Sequence, residues 1–296
     1  MGPAWYERSM SGLVAMLTQR PYVIAFLATF AILAWCERGL LRASLWLVSG
    51  TLLGWLSENC SVTTGLPFGQ YAYHKEQFAS ELWLGPVPLF ASVSFAFMSY
   101  FAFSAARRLL APWGASGEWI AAQDLESIDA APRAMLLAAA IGTWMDTVID
   151  PMTLIGRYWF LGDLYHYDPP GPHFGVPLTN YAGWLVTIGI IVRANQGLDQ
   201  LLARLGVRRS RGPALPFESF WGIGCCVGVF AFMLAVNLAL LVRAAVPASV
   251  PLGHIFMSGV VSSGLFLGLV VLMIRRGLSE HGSQGVTVMR QSAARD

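Results

Sequence analysis

The sequence predicts an all-α fold, a polytopic bundle of membrane-spanning helices. Two observations indicate this class. Hydrophobic residues make up 55% of the 296 residues and charged residues only 12%, whereas soluble domains carry roughly 25% charged residues. The apolar residues also occur in long runs, and one helical crossing of a bilayer requires about 20 such residues.

Seven apolar runs are long enough for a crossing. They lack the alternation of a membrane β-barrel, and a helix satisfies its own backbone hydrogen bonds in lipid. We therefore predict about seven spans in a single helical domain over residues 1–278, followed by a polar, disordered cytoplasmic tail over 279–296. The predicted spans lie near 21–38, 43–60, 83–106, 133–150, 174–193, 218–242 and 251–274.

The basic residues predict how these spans are oriented. If the N-terminus lies outside, 14 of the 19 Lys and Arg residues fall in the inner segments, where membrane proteins normally carry this excess. We predict a multi-pass protein of the inner (plasma) membrane with a cytoplasmic C-terminus. Glu37 and Arg38, at the inner end of the first span, are most simply a boundary pair. A net charge of +2 is too small to indicate nucleic acid as a partner.

Carboxylic acids inside the predicted spans are the first functional signal, because ionisable groups in lipid are costly. Glu58 lies at the outer end of the second span. Asp146 and Asp150 lie at the outer end of the fourth, four residues apart and therefore on one helix face. Asn180 and Tyr181 lie in the outer half of the fifth. We expect these residues to meet; the alternative is a structural role for the acids.

The two loops that follow these acids share one plan. Each begins at an acid, continues through an aromatic-rich stretch and ends in Val-Pro-Leu, at 87–89 and 176–178, where the next helix opens. The loop aromatics could equally form an interfacial belt. Spans two and three look like a weak internal repeat of spans four and five, so we expect an apolar cleft between the halves.

The usual motifs of cofactor chemistry do not occur in the sequence. It has no GxGxxG after a strand, no P-loop, no GxSxG and no HExxH, and its five histidines are scattered. We therefore predict no metal site and no cofactor. Acid–base chemistry on a hydrophobic substrate remains plausible, because a desolvated carboxyl group can stay protonated and aromatic faces can stabilise a carbocation.

Three stretches carry a family resemblance. They are the run from Glu58 to Tyr73, with Thr-Gly-x-Pro-Phe-Gly-x-Tyr at 64–71, then Trp-Met-Asp-x-x-x-Asp-Pro-Met at 144–152, and Gly-Val-Pro-Leu-Thr-Asn-Tyr-x-Gly-Trp at 175–184. Together they resemble the CruF-type carotenoid hydratases, within a family of carotenoid biosynthesis membrane proteins. The resemblance covers about residues 40–190. The loop at 161–173 and Tyr181 depart from it, which leaves the substrate open.

The resemblance implies a carotenoid 1,2-hydratase, a hydro-lyase that adds water across the terminal C1–C2 double bond of an acyclic (ψ) end group such as that of lycopene. Such an enzyme protonates C2 and captures water on the tertiary cation at C1, without a redox cofactor. On this hypothesis Asp150 or Glu58 is the acid and Asp146 the base. The other implied site residues hold the water or line the end-group pocket: Asn59, Thr63, Thr64, Tyr71, Tyr73, Trp144, Asn180, Tyr181 and Trp184.

Three other functions remain open. A membrane lycopene cyclase would begin with the same protonation, although the polar residues near the acids favour hydration. A lycopene-alkylating prenyltransferase would need a fuller Asp-rich magnesium site than Asp146-x-x-x-Asp150. A transporter would place polar residues through the membrane depth. As partners we expect an acyclic carotenoid that enters from the lipid, membrane lipids and other carotenoid-pathway enzymes.

Overall fold

The computed structural model of the chain describes residues 20–78, 81–116, 119–243 and 246–293. Within these ranges it has eight α-helices and three small two-stranded sheets. The helices are α1 (Pro21–Arg38), α2 (Leu40–Thr64), α3 (Leu89–Leu110), α4 (Leu125–Asp129), α5 (Pro132–Thr153), α6 (Leu178–Arg204), α7 (Glu218–Val242) and α8 (Leu252–Ala293). The strands are β1 (Tyr71–Tyr73), β2 (Trp83–Leu84), β3 (Val87–Pro88), β4 (Trp113–Ser116), β5 (Trp119–Ala122) and β6 (Tyr165–Tyr167).

Five helices in the described ranges are long and apolar enough to cross a membrane. They are α1, α2, α3, α7 and the Leu252–Ser279 part of α8. This agrees with the predicted class of a helical membrane protein. Helices α5 and α6 lie where two further spans are predicted, but they contain the aspartates and Asn180, which lower their hydropathy. The count of seven spans therefore stays a prediction.

Helix α3 is the centre of the bundle. It packs against α1, α2, α5, α6, α7 and α8, and 83% of its most apolar stretch is buried. Two glycines let α2 approach it closely. Gly50 faces the backbone of Ala96, and Gly54 faces the ring of Phe95. Helix α3 is thus the central helix on which the other long helices pack.

Replacing Gly50 with Ala is expected to destabilise the protein. The added Cβ would lie 2.7 Å from the Cα of Ala96. Because a backbone atom cannot move away as a side chain can, α2 and α3 would have to separate. We expect this overpacking to lower the free energy of unfolding by roughly 1–3 kcal/mol. Gly224→Ala is the matched control, since no atom lies within 4 Å of its added Cβ. Thermal unfolding in detergent should show a lower midpoint for the first variant alone. Equal midpoints would contradict this close packing.

Two of the long helices begin later than the sequence predicts. Pro88 and Pro177 have extended backbone and immediately precede α3 and α6, so these helices start at 89 and 178 rather than at 83 and 174. Proline disfavours helical backbone in the residue before it. The residues ahead of α3 instead form the β2–β3 hairpin, in which Trp83 pairs with Pro88.

A buried ionic network joins the helix ends at one side of the bundle. Glu37 accepts hydrogen bonds from Arg107 at 2.6 Å and from Arg108 at 2.7 Å. Arg107 also donates to Asp129 at 2.9 Å. Glu37 and Arg38 are only 3% and 2% exposed. Our interpretation of these two residues as a simple boundary pair is wrong, because the network draws them into the protein interior.

Helix α8 continues to Ala293, so the backbone of residues 279–293 is helical where the sequence predicts a disordered tail. No proline occurs between 252 and 293, and a helix that has already formed can therefore extend beyond its apolar part. The division of the chain at residue 278 stays a prediction.

Candidate functional site

The two repeated loops meet at the end of the bundle opposite the ionic network. Strand β1 of the first loop pairs antiparallel with β6 of the second, with Tyr71 opposite Tyr167 and Tyr73 opposite Tyr165. Neighbouring ring centroids in this group are 5.5–5.8 Å apart. The pairing of the loops therefore places four phenols in one cluster, which we call the tyrosine cluster.

Glu58 is the acid of the first half of the repeat. It is buried near the end of α2, and the hydroxyl of Tyr73 donates a hydrogen bond to its Oε1 at 3.0 Å. Its Oε2 is also buried and has no hydrogen-bond partner within the described ranges. One donor and one unpaired oxygen therefore characterise this carboxyl group.

Asp150 is the acid of the second half. Tyr165 donates to its Oδ1 at 2.8 Å, across the same 15-residue separation that joins Tyr73 to Glu58. Tyr167 donates to Oδ2 at 3.1 Å, and the amide of Asn180 donates to the same oxygen at 2.8 Å. Asp150 therefore accepts from three donors and Glu58 from one, so the two halves of the repeat differ in how their acids are hydrogen-bonded.

Asp146 lies one helical turn behind Asp150 and is fully buried. The side-chain nitrogen of Asn180 donates to its Oδ2 at 2.7 Å and so bridges the two aspartates. The other oxygen, Oδ1, has no hydrogen-bond partner in the described part of the chain. The structure thus joins Asp146, Asp150 and Asn180 in one polar group.

The phenols around the acids act as hydrogen-bond donors. Burial raises the pKa of Tyr73, Tyr165 and Tyr167 well above the ordinary value of tyrosine, and the neighbouring carboxylates raise it further. Each phenol therefore keeps its proton at neutral pH. Because a carboxylate can only accept, the direction of every phenol–carboxylate bond is defined.

The acids of both halves open onto one apolar cavity. Its space free of protein atoms, the mouth included, is about 1050 Å³. Glu58, Asp150, Thr153 and Asn180 are among its polar lining residues. Its aromatic lining residues are Tyr22, Phe26, Phe68, Tyr71, Tyr73, Phe90, Phe95, Phe97, Trp159, Tyr165, Tyr167, Trp184 and Phe232. A mostly apolar pocket with a few convergent polar groups is typical of a site for a hydrophobic small molecule.

The described residues contain no group of three or more His, Cys, Asp or Glu side chains that could hold a metal ion. The carboxyl groups of the cavity are instead held by phenols and by an amide. What this arrangement can do chemically is donate a proton from one carboxyl group and accept one at another.

A comparison with models of protein families identifies the family of the chain. The model described as "Carotenoid biosynthesis protein" matches residues 19–260, well over half of the chain. The chain belongs to the carotenoid biosynthesis protein family. Neither curated proteins nor solved structures gave a match. The region that matches the carotenoid biosynthesis family contains both halves of the repeat and every lining residue of the cavity.

Of the end-group residues implied by the resemblance to the CruF-type hydratases, the cavity includes Tyr71, Tyr73 and Trp184. Trp184 stacks on Phe95, with ring centroids 4.7 Å apart. Trp144 is not a lining residue. Its indole nitrogen donates to the hydroxyl of Ser262 at 2.8 Å, so that it fastens α5 to α8.

The implied water-binding residues of α2 also lie away from the cavity. Thr63 and Thr64 are exposed, and their hydroxyls donate to the backbone carbonyl of Cys60 at 3.0 and 2.8 Å. Asn59 is half-buried beside Gly85. The physical reason is helical geometry, since consecutive residues point about 100° apart. Proximity to Glu58 in sequence does not bring them to its cavity-facing side.

Tyr181 lies at the edge of the second loop. Its hydroxyl is hydrogen-bonded to Nδ1 of His173, and it is half-buried rather than part of the cavity lining. Its position in the turn after Asn180 explains this, because the two side chains leave α6 in different directions. The contact ties the start of α6 to its own loop.

The structure also adds residues that the sequence did not assign to the site. Tyr165 and Tyr167 belong to the repeated loop, and the equal spacing of acid and tyrosine in the two halves is the signal that could have identified them. Thr153 shares a 2.8 Å hydrogen bond with the hydroxyl of Tyr165. Phe26 and Phe232 come from α1 and α7, and nothing in their sequence context distinguishes them from other apolar helix residues.

Proposed function

We propose that the chain is a carotenoid 1,2-hydratase that adds water across the terminal C1–C2 double bond of an acyclic (ψ) end group such as that of lycopene. Membership of the carotenoid biosynthesis family restricts the candidate reactions to those of carotenoid biosynthesis. The observation that supports hydration is a pair of unequally held carboxyl groups on one apolar, aromatic cavity. A hydration needs an acid for the alkene and a base for the water, and unequal surroundings separate these two roles.

Glu58 is the proposed acid. It has one donor and a buried oxygen without a partner, an arrangement that leaves room for a proton on Oε2. That proton passes to C2 of the substrate, and the π electrons of the double bond form the new C2–H bond. The tertiary cation left at C1 is stabilised by the faces of the aromatic lining.

Asp150 is the proposed base. Its three donors favour the ionised form, because hydrogen bonds to a charged acceptor are stronger than those to a neutral one. Water attacks C1, its hydroxyl stays on the carbon, and its second proton passes to Asp150. Asp146 does not line the cavity, so we now propose that it orients Asn180 instead of acting as the base.

A lycopene cyclase is the second candidate, and the extent of the aromatic lining is the observation that favours it. The same protonation would give the same cation, which a second double bond of the substrate would then attack. Asn59, Thr63 and Thr64 no longer weigh against this alternative, because they lie outside the cavity. Asn180 and Thr153 do line it beside Asp150, and polar groups there support capture of water.

Pigment mass in a bacterium that accumulates lycopene tests the proposed function. A hydratase yields products heavier by one water per reacted end, with the conjugated chromophore unchanged. A cyclase yields products isomeric with lycopene and a blue-shifted spectrum. Unchanged lycopene, in cells where the protein is shown to be inserted in the membrane, would contradict both.

Replacing Tyr165 with Phe is expected to slow hydration roughly 10- to 100-fold. The change removes one of the three donors of Asp150, and a hydrogen bond to a charged group contributes about 1.5–3 kcal/mol. The control is Tyr158→Phe on the same loop, because its hydroxyl contacts Arg157 and does not line the cavity. Initial rates at matched protein levels provide the measurement. A wild-type rate for Tyr165→Phe would contradict the role proposed for Asp150.

We also propose a multi-pass protein of the inner (plasma) membrane, with its N-terminus outside and its C-terminus in the cytoplasm. Arg38, Arg42, Arg107 and Arg108 all lie at the end of the bundle opposite the acids, which supports a cytoplasmic position for that end. A reporter that is active only on the outer side of the membrane should be inactive when it is fused to the C-terminus. Activity of that fusion would contradict the proposed orientation and indicate the opposite one.

A further inference from the structure

Helices α1 and α7 bound the cavity from two sides and meet through aromatic side chains. Helix α1 packs on α2 and α3, whereas α7 packs on α3, α5 and α8. Helix α3 lies between α1 and α7 and contributes Phe97 to the lining of the cavity. From the two sides, Tyr22, Val23 and Phe26 of α1 and Val229, Phe232 and Met233 of α7 complete this part of the lining. We call the space between these six residues the slot.

Aromatic rings of α1 and α7 close the slot, together with Phe160 of the second loop, which meets Tyr22 and Phe232 edge-on. The rings of Tyr22 and Phe232 stack with centroids 5.8 Å apart, and Phe26 meets Phe232 edge-on at 5.9 Å. All three side chains are half-buried, so they contact both the cavity and the outer surface of the bundle. Side-chain rotation is much faster than helix movement. The slot can therefore open while α1 and α7 stay in place.

We propose that the slot is a second binding subsite, which holds the unreacted polyene chain of the substrate where it leaves the cavity for the lipid. This inference rests on the proposed function, because it takes an acyclic carotenoid as the occupant. The slot is continuous with the cavity that contains Glu58 and Asp150, and its six residues carry no charge. A conjugated polyene is flat and apolar, so the stacked rings offer it matching faces.

The position of the slot has a consequence for recognition. The acids and the tyrosine cluster contact the end group, whereas the slot contacts the chain behind it. Two separate sets of residues therefore determine affinity for the long substrate, and a short hydrocarbon with the same end group would use only the first set. Comparing the two ligands separates the slot from the reacting centre.

Phe232→Trp tests the proposal, because the larger ring fills the slot without touching the acids. Lycopene binding is measured with purified protein through quenching of tryptophan fluorescence, and a short acyclic isoprenoid hydrocarbon with the same terminal group is measured by displacement. We expect the ratio of dissociation constants, long to short, to rise at least about tenfold, the lower end of what a steric change in an apolar pocket produces. Leu238→Trp is the control, on the exposed face of the same helix.

Several outcomes would overturn the proposal. One is an unchanged ratio in Phe232→Trp, whether both ligands bind as before or both bind more weakly. Another is an equal rise in Leu238→Trp, which would indicate a general effect of tryptophan in α7. Displacement of lycopene from the wild type by a saturated acyl chain as readily as by the isoprenoid would assign the slot to lipid. If wild-type protein binds lycopene without hydrating it, the proposed function fails while the slot can still be tested.

Discussion

Replacing Asp150 with Asn is expected to reduce conversion of lycopene by roughly 10²–10⁴-fold, the usual contribution of a positioned acid or base. Asn has nearly the same shape but cannot accept the proton of the attacking water. Three donors now converge on Asp150, and an amide oxygen could still accept some of these bonds. Loss of activity without loss of folded protein would therefore report on chemistry.

Glu58→Gln is expected to have an effect of the same size, because the amide has no proton of suitable acidity to give to C2. Asp163→Asn is the matched control. It changes a half-exposed acid of the second loop that does not line the cavity. Initial rates in membranes, normalised to inserted protein, measure all three variants. Full activity in either Glu58→Gln or Asp150→Asn would remove that residue from the mechanism.

Glu37→Gln should have the largest effect on stability. This carboxylate is buried between Arg107 and Arg108, and Tyr100 and Ser104 also donate to it at 2.9 Å. Neutralising it leaves two buried guanidinium groups short of a counter-charge. Breaking a buried ion pair from one side costs about 3–5 kcal/mol, a large part of the stability of a typical domain.

Thermal unfolding in detergent and the yield of monodisperse protein test this expectation. The control is Glu126→Gln on α4, where an exposed side chain should change stability by no more than about 0.5 kcal/mol. If Glu37→Gln unfolded at the wild-type midpoint, the network would be dispensable for folding. A lowered midpoint with unchanged activity per folded molecule would separate this end of the bundle from the site.

Much of the fold follows from hydrophobic periodicity and length. Each long helix overlaps a predicted span, because an apolar run of this length has few alternatives to a helix. The late starts of α3 and α6 depend on the prolines at 88 and 177. This local signal can be seen in the sequence and could have predicted both helix starts. The packing of α1 and α7 on either side of α3 could not be predicted, since these apolar helices have no pattern that selects one neighbour over another.

The candidate site shows the same division. The grouping of Asp146, Asp150 and Asn180 follows from helical spacing and from the repeat. The rotation of a helix about its own axis is harder to predict, and it decides that Trp144 points toward α8 and that Thr63 lies outside the cavity lining. Both orientations depend on long-range packing. The equal 15-residue spacing between acid and tyrosine in the two halves is the pattern that pairs Tyr165 with Asp150 as Tyr73 is paired with Glu58.

The most direct test of the central claim uses purified protein, lycopene and labelled water. In water containing heavy oxygen, the account predicts one heavy oxygen atom in the product for each reacted end. In deuterium oxide it predicts one non-exchangeable deuterium at C2, transferred from Glu58 after exchange with solvent. A product isomeric with lycopene that carries deuterium but no heavy oxygen would contradict hydration and assign the site to ring closure.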